Sequence, residues 1–340
     1  MHLPTGAVSV TDYHTAGEPF RIVTAGQPEI PGSTVLDRRQ FAQSSPEVEA
    51  VRALLVNEPR GHADMYGGFL VPPDDEGAHF GVLFWHKDGF STACGHGAIA
   101  LGAWAVNTGR VPAAPDGDTD VVLDVPSGRV TARVSCAGGR VRQVTFGNVA
   151  SYVLARKVPV STSYGPVLAD VSYGGAIYAS VEAASVGLSV TAAHHSELIA
   201  VGREVKWALN DTEWARHPSD RRLDGVYGTI LYEDLGQGAD GPHQRNVTVF
   251  ADGEVDRSPC GSGTSARIAV LADDGRLGVG HTLRHDSIID TTFQARVVAE
   301  VCVEGRVGLI TEIEGMAYLT GTATFSLDPE DPLGTGFLLR

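Results

Sequence analysis

Sulfur is scarce in this chain: its 340 residues include four cysteines and three methionines. Four cysteines over such a length exclude a disulfide scaffold. Basic residues are outnumbered, 26 Lys and Arg against 41 Asp and Glu, which leaves a net charge of −15. A chain this acidic repels nucleic acid and anionic membranes, so neither is expected as a partner. No apolar run reaches the roughly 18 residues of a membrane helix. The opening stretch "MHLPTGAVSVTDYHTAGEP" lacks the basic start and apolar centre of a secretory signal. The cytoplasm, where thiols stay reduced, is the expected compartment. Zinc spacings such as C-x-x-C and H-E-x-x-H are missing, as are the P-loop, G-x-S-x-G and dinucleotide G-x-G-x-x-G patterns. Neither a metal nor a cofactor is expected.

Glycine, by contrast, is abundant at 41 residues, and 43% of the chain is hydrophobic. The length suffices for two medium domains. Short β-like runs between turn signals, such as "HFGVLFWH", "GAIYASV", "NVTVFADG" and "VVAEVCVEGRVGLITEIEG", alternate with a few helical stretches. "DRRQFAQSSPEVEAVRALLVN" and "TAAHHSELIAVGREVKWAL" have helical spacing. "GAIALGAWAVNTG" and "SARIAVLADDGRLG" are apolar and closed by glycine, a C-terminal stop.

Two segments resemble each other. "STACGHGAIALGAW" starts at Ser91 and "RSPCGSGTSARIAVL" at Arg257; both place C-G-x-G before a short apolar helix. Each half of the chain thus runs from strands into a cysteine turn and a helix. This pattern predicts α+β architecture in two similar domains. The boundary is expected near 155: residues 1–155, joined by the C-terminal segment 325–340, form one domain and residues 156–324 the other.

A single C-G-x-G is usually a tight turn around a buried cysteine. Three features favour chemistry. Gly95, Gly97, Gly261 and Gly263 leave backbone amides unshielded beside sulfur. Each cysteine precedes a helix, whose first N–H groups and dipole favour an anion and are expected to lower a thiol pKa. The arrangement also occurs twice. Two such turns suit inversion at the α-carbon of an amino acid: one thiolate removes the proton, the other thiol returns one to the opposite face. Cys94 and Cys260 are the expected catalytic pair. His96 is placed to bind a carboxylate or tune Cys94, Asp256 to hold an ammonium, and Ser262 to donate to the carboxylate. His194 and His195 read as surface residues. Cys136 and Cys302, in strand-like runs, read as core.

The segments "DYHTAGEPFRIV", "NEPRGHADMYG", "STACGHG", "VDRSPCGSGTSA", "AYLTGTATF" and "DPEDPLGTGF" together resemble the proline racemase family, from Asp12 to Phe337. That resemblance implies a diaminopimelate epimerase-like fold, each domain a sheet curled around a central helix. It also implies Cys94 and Cys260 as the two bases, with Gly95, His96, Asp256, Gly261 and Ser262 at substrate-contacting positions. Members work without metal or pyridoxal phosphate and are often homodimers. They divide into proline racemases, hydroxyproline 2-epimerases and trans-3-hydroxy-L-proline dehydratases. "EPRGHADMYG", "YGTILYED" and the C-terminal segment resemble the dehydratases, which usually carry threonine where Cys260 stands. Ser91-Thr92-Ala93 and Ser262 also depart from the residues common in racemases. Retention of the second thiol favours inversion of proline or a hydroxyproline. Dehydration of 3-hydroxyproline is the alternative, and a non-catalytic amino acid binder the third reading.

Overall fold

The computed structural model describes residues 6–339; Met1–Thr5 and Arg340, at the ends of the expected domain ranges, lie outside the described residues. The chain divides into two compact units. Unit 1 takes Met1–Thr15, Pro19–Val144 and Met316–Arg340, and unit 2 takes Ala16–Glu18 and Thr145–Gly315.

Unit 1 contains β1 (Val8–Thr15), β2 (Glu18–Ala25), α1 (Val35–Ser44), α2 (Pro46–Val56), β3 (Gly67–Val71), β4 (Phe80–His86), β5 (Gly89–Phe90), α3 (Gly95–Asn107), β6 (Gly117–Val125), β7 (Gly128–Ala137) and most of β8 (Arg140–Gly147). β3 is parallel to β2, β4 antiparallel to β3, β6 parallel to β4, and β7 antiparallel to β6. The charged, amphipathic stretch near the N-terminus is two helices rather than one. Ser45 ends α1 and caps α2 by accepting from the Val48 amide, and Pro46 opens α2. Proline fits a first helical position but cannot continue a helix that precedes it. Leu54 and Leu55 of α2 share a core with Phe69, Leu83 and Trp85 of the sheet. Every residue of α3 from Gly95 to Ala105 is buried. A helix apolar on all sides belongs inside a unit.

Unit 2 runs through β9 (Tyr152–Thr162), β10 (Gly165–Tyr173), β11 (Ile177–Glu182), α4 (His195–Asn210), β12 (Val226–Gln237), β13 (Pro242–Phe250), β14 (Glu254–Asp256), α5 (Gly261–Asp273), β15 (Thr282–Ser287), β16 (Thr292–Val303) and β17 (Arg306–Gly315). β9, β10 and β11 pair antiparallel in turn, β12 is parallel to β11, and β13 antiparallel to β12. β15 is parallel to β13, followed by antiparallel β16 and β17. Ser151 and Leu309 exchange backbone hydrogen bonds of 2.9 and 2.8 Å, bringing the start of β9 against β17. The sheet thereby curls round α5, whose residues Gly261–Leu271 are all buried. The chain then returns to unit 1 as β18 (Ala317–Phe325), antiparallel to β1.

The two units repeat one plan. A helical crossover joins parallel strands (β2 to β3, β11 to β12), and an antiparallel strand follows (β4, β13). A short strand (β5, β14) leads into the central helix (α3, α5), and a parallel strand comes next (β6, β15). This is the α+β, pseudo-symmetric architecture that the repeated cysteine turns led us to expect.

One expectation needs correction. Cys136 is buried on β7, but Cys302 is exposed on β16. It falls on the outward side of an alternating strand, with Gln294, Arg296, Val298 and Glu300, so apolar neighbours in sequence did not report its environment. His194 and His195, at the start of α4, are half-buried; His194 Nδ1 accepts from the Ser189 amide at 3.1 Å. Among the described residues no helix is long and apolar enough to cross a membrane.

Candidate active site

Cys94 and Cys260 occupy the same place in the repeat. Each lies four residues after the short strand and immediately before the central helix, as its N-cap. Both are buried.

In unit 1, Cys94 has extended backbone, φ −156° and ψ 101°. Its sulfur accepts from the Gly97 amide at 3.3 Å. A Cβ on Gly97 would lie 2.8 Å from that sulfur and 2.5 Å from Phe20, so the amide reaches sulfur only because this residue is glycine. The His96 ring lies beside the sulfur, with Nε2 at 3.4 Å and Nδ1 at 3.5 Å. The rings of Phe20 and Tyr66 meet the imidazole edge-on at 5.9 and 5.0 Å and fix its plane. Thr15 Oγ1 donates to the His96 carbonyl at 2.9 Å. Ser91, one of the departures from the racemase pattern, shares a 2.5 Å hydrogen bond with the Tyr66 hydroxyl. Gly95 and His96 begin the helix, where amides lack intrahelical acceptors.

In unit 2, Cys260 adopts φ 63° and ψ 101°. For a residue with a Cβ this conformation is strained by roughly 1–3 kcal/mol. Its own N–H donates to Ser258 Oγ at 3.1 Å. Gly263 repeats the role of Gly97: a Cβ there would lie 2.9 Å from the Cys260 sulfur. Asp256, the last residue of β14, is buried; its Oδ1 accepts from the Ser258 amide at 2.8 Å and the Ser258 hydroxyl at 2.7 Å. Ser262 is buried and shares a 2.7 Å hydrogen bond with the Tyr178 hydroxyl. The Cys260 thiol reaches the same Tyr178 oxygen at 3.9 Å.

The two helix starts were expected to lower thiol pKa values. At Cys260 the balance goes the other way. Burial pushes the thiol up, and the Asp256 carboxylate pushes it further. The Gly263 amide and the Thr248 hydroxyl oppose this but do not overcome it. The helix terminus acts as expected; it is outweighed by desolvation in the apolar cluster of Ala176, Tyr178, Ile230 and Ala266. Burial and Asp256 thus both favour the thiol form of Cys260 over the thiolate.

His96 thus lies with Cys94, while Asp256 and Ser262 lie with Cys260. Gly95 and Gly261 open the two helices. Sequence reasoning missed Tyr178, Thr248 and Ser258. Ser258 was visible beside the cysteine. Tyr178 is 82 residues away in sequence and reaches sulfur from a neighbouring strand, which no local pattern reports.

The model of the proline racemase family matches residues 10–338. The chain belongs to the proline racemase family. It is 43% identical over 335 residues to a trans-3-hydroxy-L-proline dehydratase of Burkholderia cenocepacia (strain HI2424), covering 98% of each chain. It is also 43% identical over 340 residues to a 3-hydroxyproline 2-epimerase of Burkholderia multivorans, again covering 98% of each. Among solved structures, a hydroxyproline epimerase from Agrobacterium vitis with bound trans-4-hydroxy-L-proline superposes with a TM-score of 0.91. The two are 29% identical, over 99% of this chain and 97% of that one. Members of the proline racemase family are enzymes, and both epimerase and dehydratase names occur at equal distance from this one.

Proposed function

We propose that this proline racemase family member is a cofactor-independent epimerase that inverts C2 of a hydroxyproline, with Cys94 and Cys260 as its proton-transfer groups. The observation that carries the reading is a buried cysteine at the start of both central helices. Inversion needs one group to take a proton and another to give one. Elimination of a 3-hydroxyl needs one strong base. A buried S–H in the second position is suited to the added step that only inversion requires.

In the forward direction the Cys94 thiolate takes the C2 proton, and the electron pair passes into the substrate carboxylate. The first amides of a helix offer that developing charge fixed donors. Gly95 and His96 in one unit, and Gly261 and Ser262 in the other, are the proposed contacts. The Cys260 S–H bond then breaks and its proton forms the new C2–H bond, leaving Cys260 as thiolate and Cys94 as thiol. The ring nitrogen of the substrate is cationic, and Asp256 is its proposed partner. Neutralising that carboxylate removes one of the two influences that hold the Cys260 thiol up. Substrate binding itself thus makes Cys260 a better acid.

The 3-hydroxy ring is the leading substrate, because the two equally similar relatives are both named for reactions of 3-hydroxyproline. Dehydration is the second reading, supported by the name of the first of them. The two reactions share the C2 anion and differ in its fate.

The test is incubation with trans-3-hydroxy-L-proline, trans-4-hydroxy-L-proline and L-proline in D2O, followed by NMR and optical rotation. Deuterium at C2 with appearance of the epimer is the expected result. A cyclic imine from the 3-hydroxy compound without epimer establishes the dehydratase instead. Binding without any reaction establishes the binder. Cys260→Ser is expected to abolish inversion, and full activity in that variant overturns the assignment.

A further inference from the structure

Behind Cys260 lies a group of buried side chains whose hydrogen bonds converge on the peptide before the cysteine rather than on its sulfur. Pro259, the residue before the cysteine, has no N–H, so its carbonyl is its only hydrogen-bonding group. That carbonyl accepts from Asn246 Nδ2 at 3.1 Å and from Thr264 Oγ1 at 3.0 Å. His285 joins the two donors: Nδ1 lies 2.8 Å from Thr264 Oγ1, and Nε2 lies 2.8 Å from Asn246 Nδ2. All three side chains are fully buried.

Counting protons fixes the direction of every bond. A carbonyl only accepts, so the amide nitrogen of Asn246 must face Pro259, and the single hydroxyl proton of Thr264 is committed to the same oxygen. Thr264 Oγ1 therefore accepts from His285, which places the proton on Nδ1. Asn246 Nδ2 only donates, so Nε2 carries a lone pair. One neutral tautomer of His285 satisfies the whole set. Burial, aided by the Arg267 guanidinium, lowers the His285 pKa to about 3, so the ring stays neutral.

The Pro259–Cys260 peptide is thus pinned at both ends, its oxygen by Asn246 and Thr264 and its N–H by Ser258. This is the peptide that could rotate to relieve the positive φ of Cys260. We propose that Asn246, Thr264 and His285 form a positioning triad that holds this peptide and thereby aims the Cys260 sulfur for proton transfer. The inference rests on the role given to Cys260 above. The triad serves the Cys260 step alone, because all its members belong to unit 2.

The two cysteines act in separate steps, so a sulfur that is poorly aimed slows one proton transfer and not the other. In the direction where Cys94 removes the C2 proton, delivery from Cys260 becomes rate-limiting. In the reverse direction, removal by Cys260 becomes rate-limiting. With a 3-hydroxy substrate the stranded C2 anion also has a second outlet: the C3–O bond breaks, the C2 electron pair forms a C2=C3 double bond, and hydroxide leaves as water with the proton that Cys94 took from C2, which returns Cys94 to thiolate.

The test compares Thr264→Val, which keeps shape and loses the hydroxyl, with Thr264→Ser, which keeps the hydroxyl. Folding is checked by circular dichroism and melting. Misplacing a reacting atom by an ångström costs about 100-fold in rate, and a loss of that order in kcat is expected for Thr264→Val, with KM little changed and the serine variant largely restored. The decisive readout is the pair of isotope effects. In one direction the effect of C2-deuterated substrate should shrink while the solvent effect grows; in the other the substrate effect should grow. Isotope effects unchanged in both directions, however slow the folded variant, overturn the triad. Should Thr264→Val fail to fold, His285→Gln, which keeps an acceptor for Asn246 and loses the donor to Thr264, is held to the same criterion. Cys260→Ser separates the two claims. Inversion that survives it overturns the role of Cys260. Inversion abolished by it, beside unchanged isotope effects in the triad variants, overturns the triad alone.

Discussion

Asp256 has two relations to Cys260 that pull apart during the proposed catalytic cycle. In the free protein its carboxylate raises the thiol pKa, second to burial. In the proposed complex the same carboxylate meets a cationic ring nitrogen. Asp256→Asn removes the negative charge and should favour the thiolate. The midpoint for alkylation of Cys260 against pH is expected to move down, while remaining above that of an ordinary thiol because burial persists. The check is the pH dependence of iodoacetamide labelling at Cys260, followed by peptide mass spectrometry. An upward or absent shift overturns the electrostatic account. The kcat/KM profiles of the two reaction directions should nevertheless coincide. Each direction uses a pair that shares one proton, and such a pair titrates with common macroscopic values.

The central helices carry the proposed site, and their glycines set opposite demands. Replacing a helical glycine by alanine ordinarily stabilises by about 1 kcal/mol. Gly263 lies in the first turn of α5, yet a Cβ there would press within 2.9 Å of the Cys260 sulfur and 3.2 Å of its Cβ. Gly263→Ala should therefore leave the melting temperature unchanged or higher while kcat falls by about 100-fold, the penalty of a displaced sulfur. A parallel loss of stability and activity, read by calorimetry and turnover, defeats this account. Much at this scale was legible beforehand: both C-G-x-G turns, the two apolar helices after them, and the repetition itself. Two features were hidden, a helix boundary and a set of long-range contacts. Ser45–Pro46 splits an apparently continuous amphipathic stretch, a break visible only when proline is weighed above periodicity. Tyr178, Thr248, Asn246 and His285 come to Cys260 through strand register, and register is decided by partners far along the chain. The parallel pairing of Asn246 with Ser287, for example, brings His285 to within hydrogen-bonding distance of the Asn246 side chain. Periodicity reveals that a strand exists and not which strand lies beside it.

At the scale of the whole chain, unit 1 is assembled from segments at both ends. β18 pairs with β1 from Val8 opposite Phe325 to Thr15 opposite Ala317. Ala323, Phe325 and Leu327 pack on the core of unit 1, and the Arg21 guanidinium lies 4.7 Å over the Phe325 ring. Further on, the Glu58 and Phe337 backbones exchange hydrogen bonds of 3.1 and 3.0 Å. The core of unit 2, from Tyr152 to Ile288, draws on none of these residues. A chain ending at Gly315 should therefore damage the units unequally. β1 loses its antiparallel partner, and the apolar surface that Phe325 and its neighbours covered is exposed to water. Amides of α3, beyond the first turn, are expected to lose most of their protection from hydrogen exchange, and Cys94 to become reactive toward thiol reagents. Amides of α5 should keep their protection, because its covering strands β9, β10, β16 and β17 all remain. Hydrogen exchange read by mass spectrometry on the two helices separates the outcomes. If α3 stays as protected as α5, the C-terminal segment is an ornament on unit 1 rather than part of its fold.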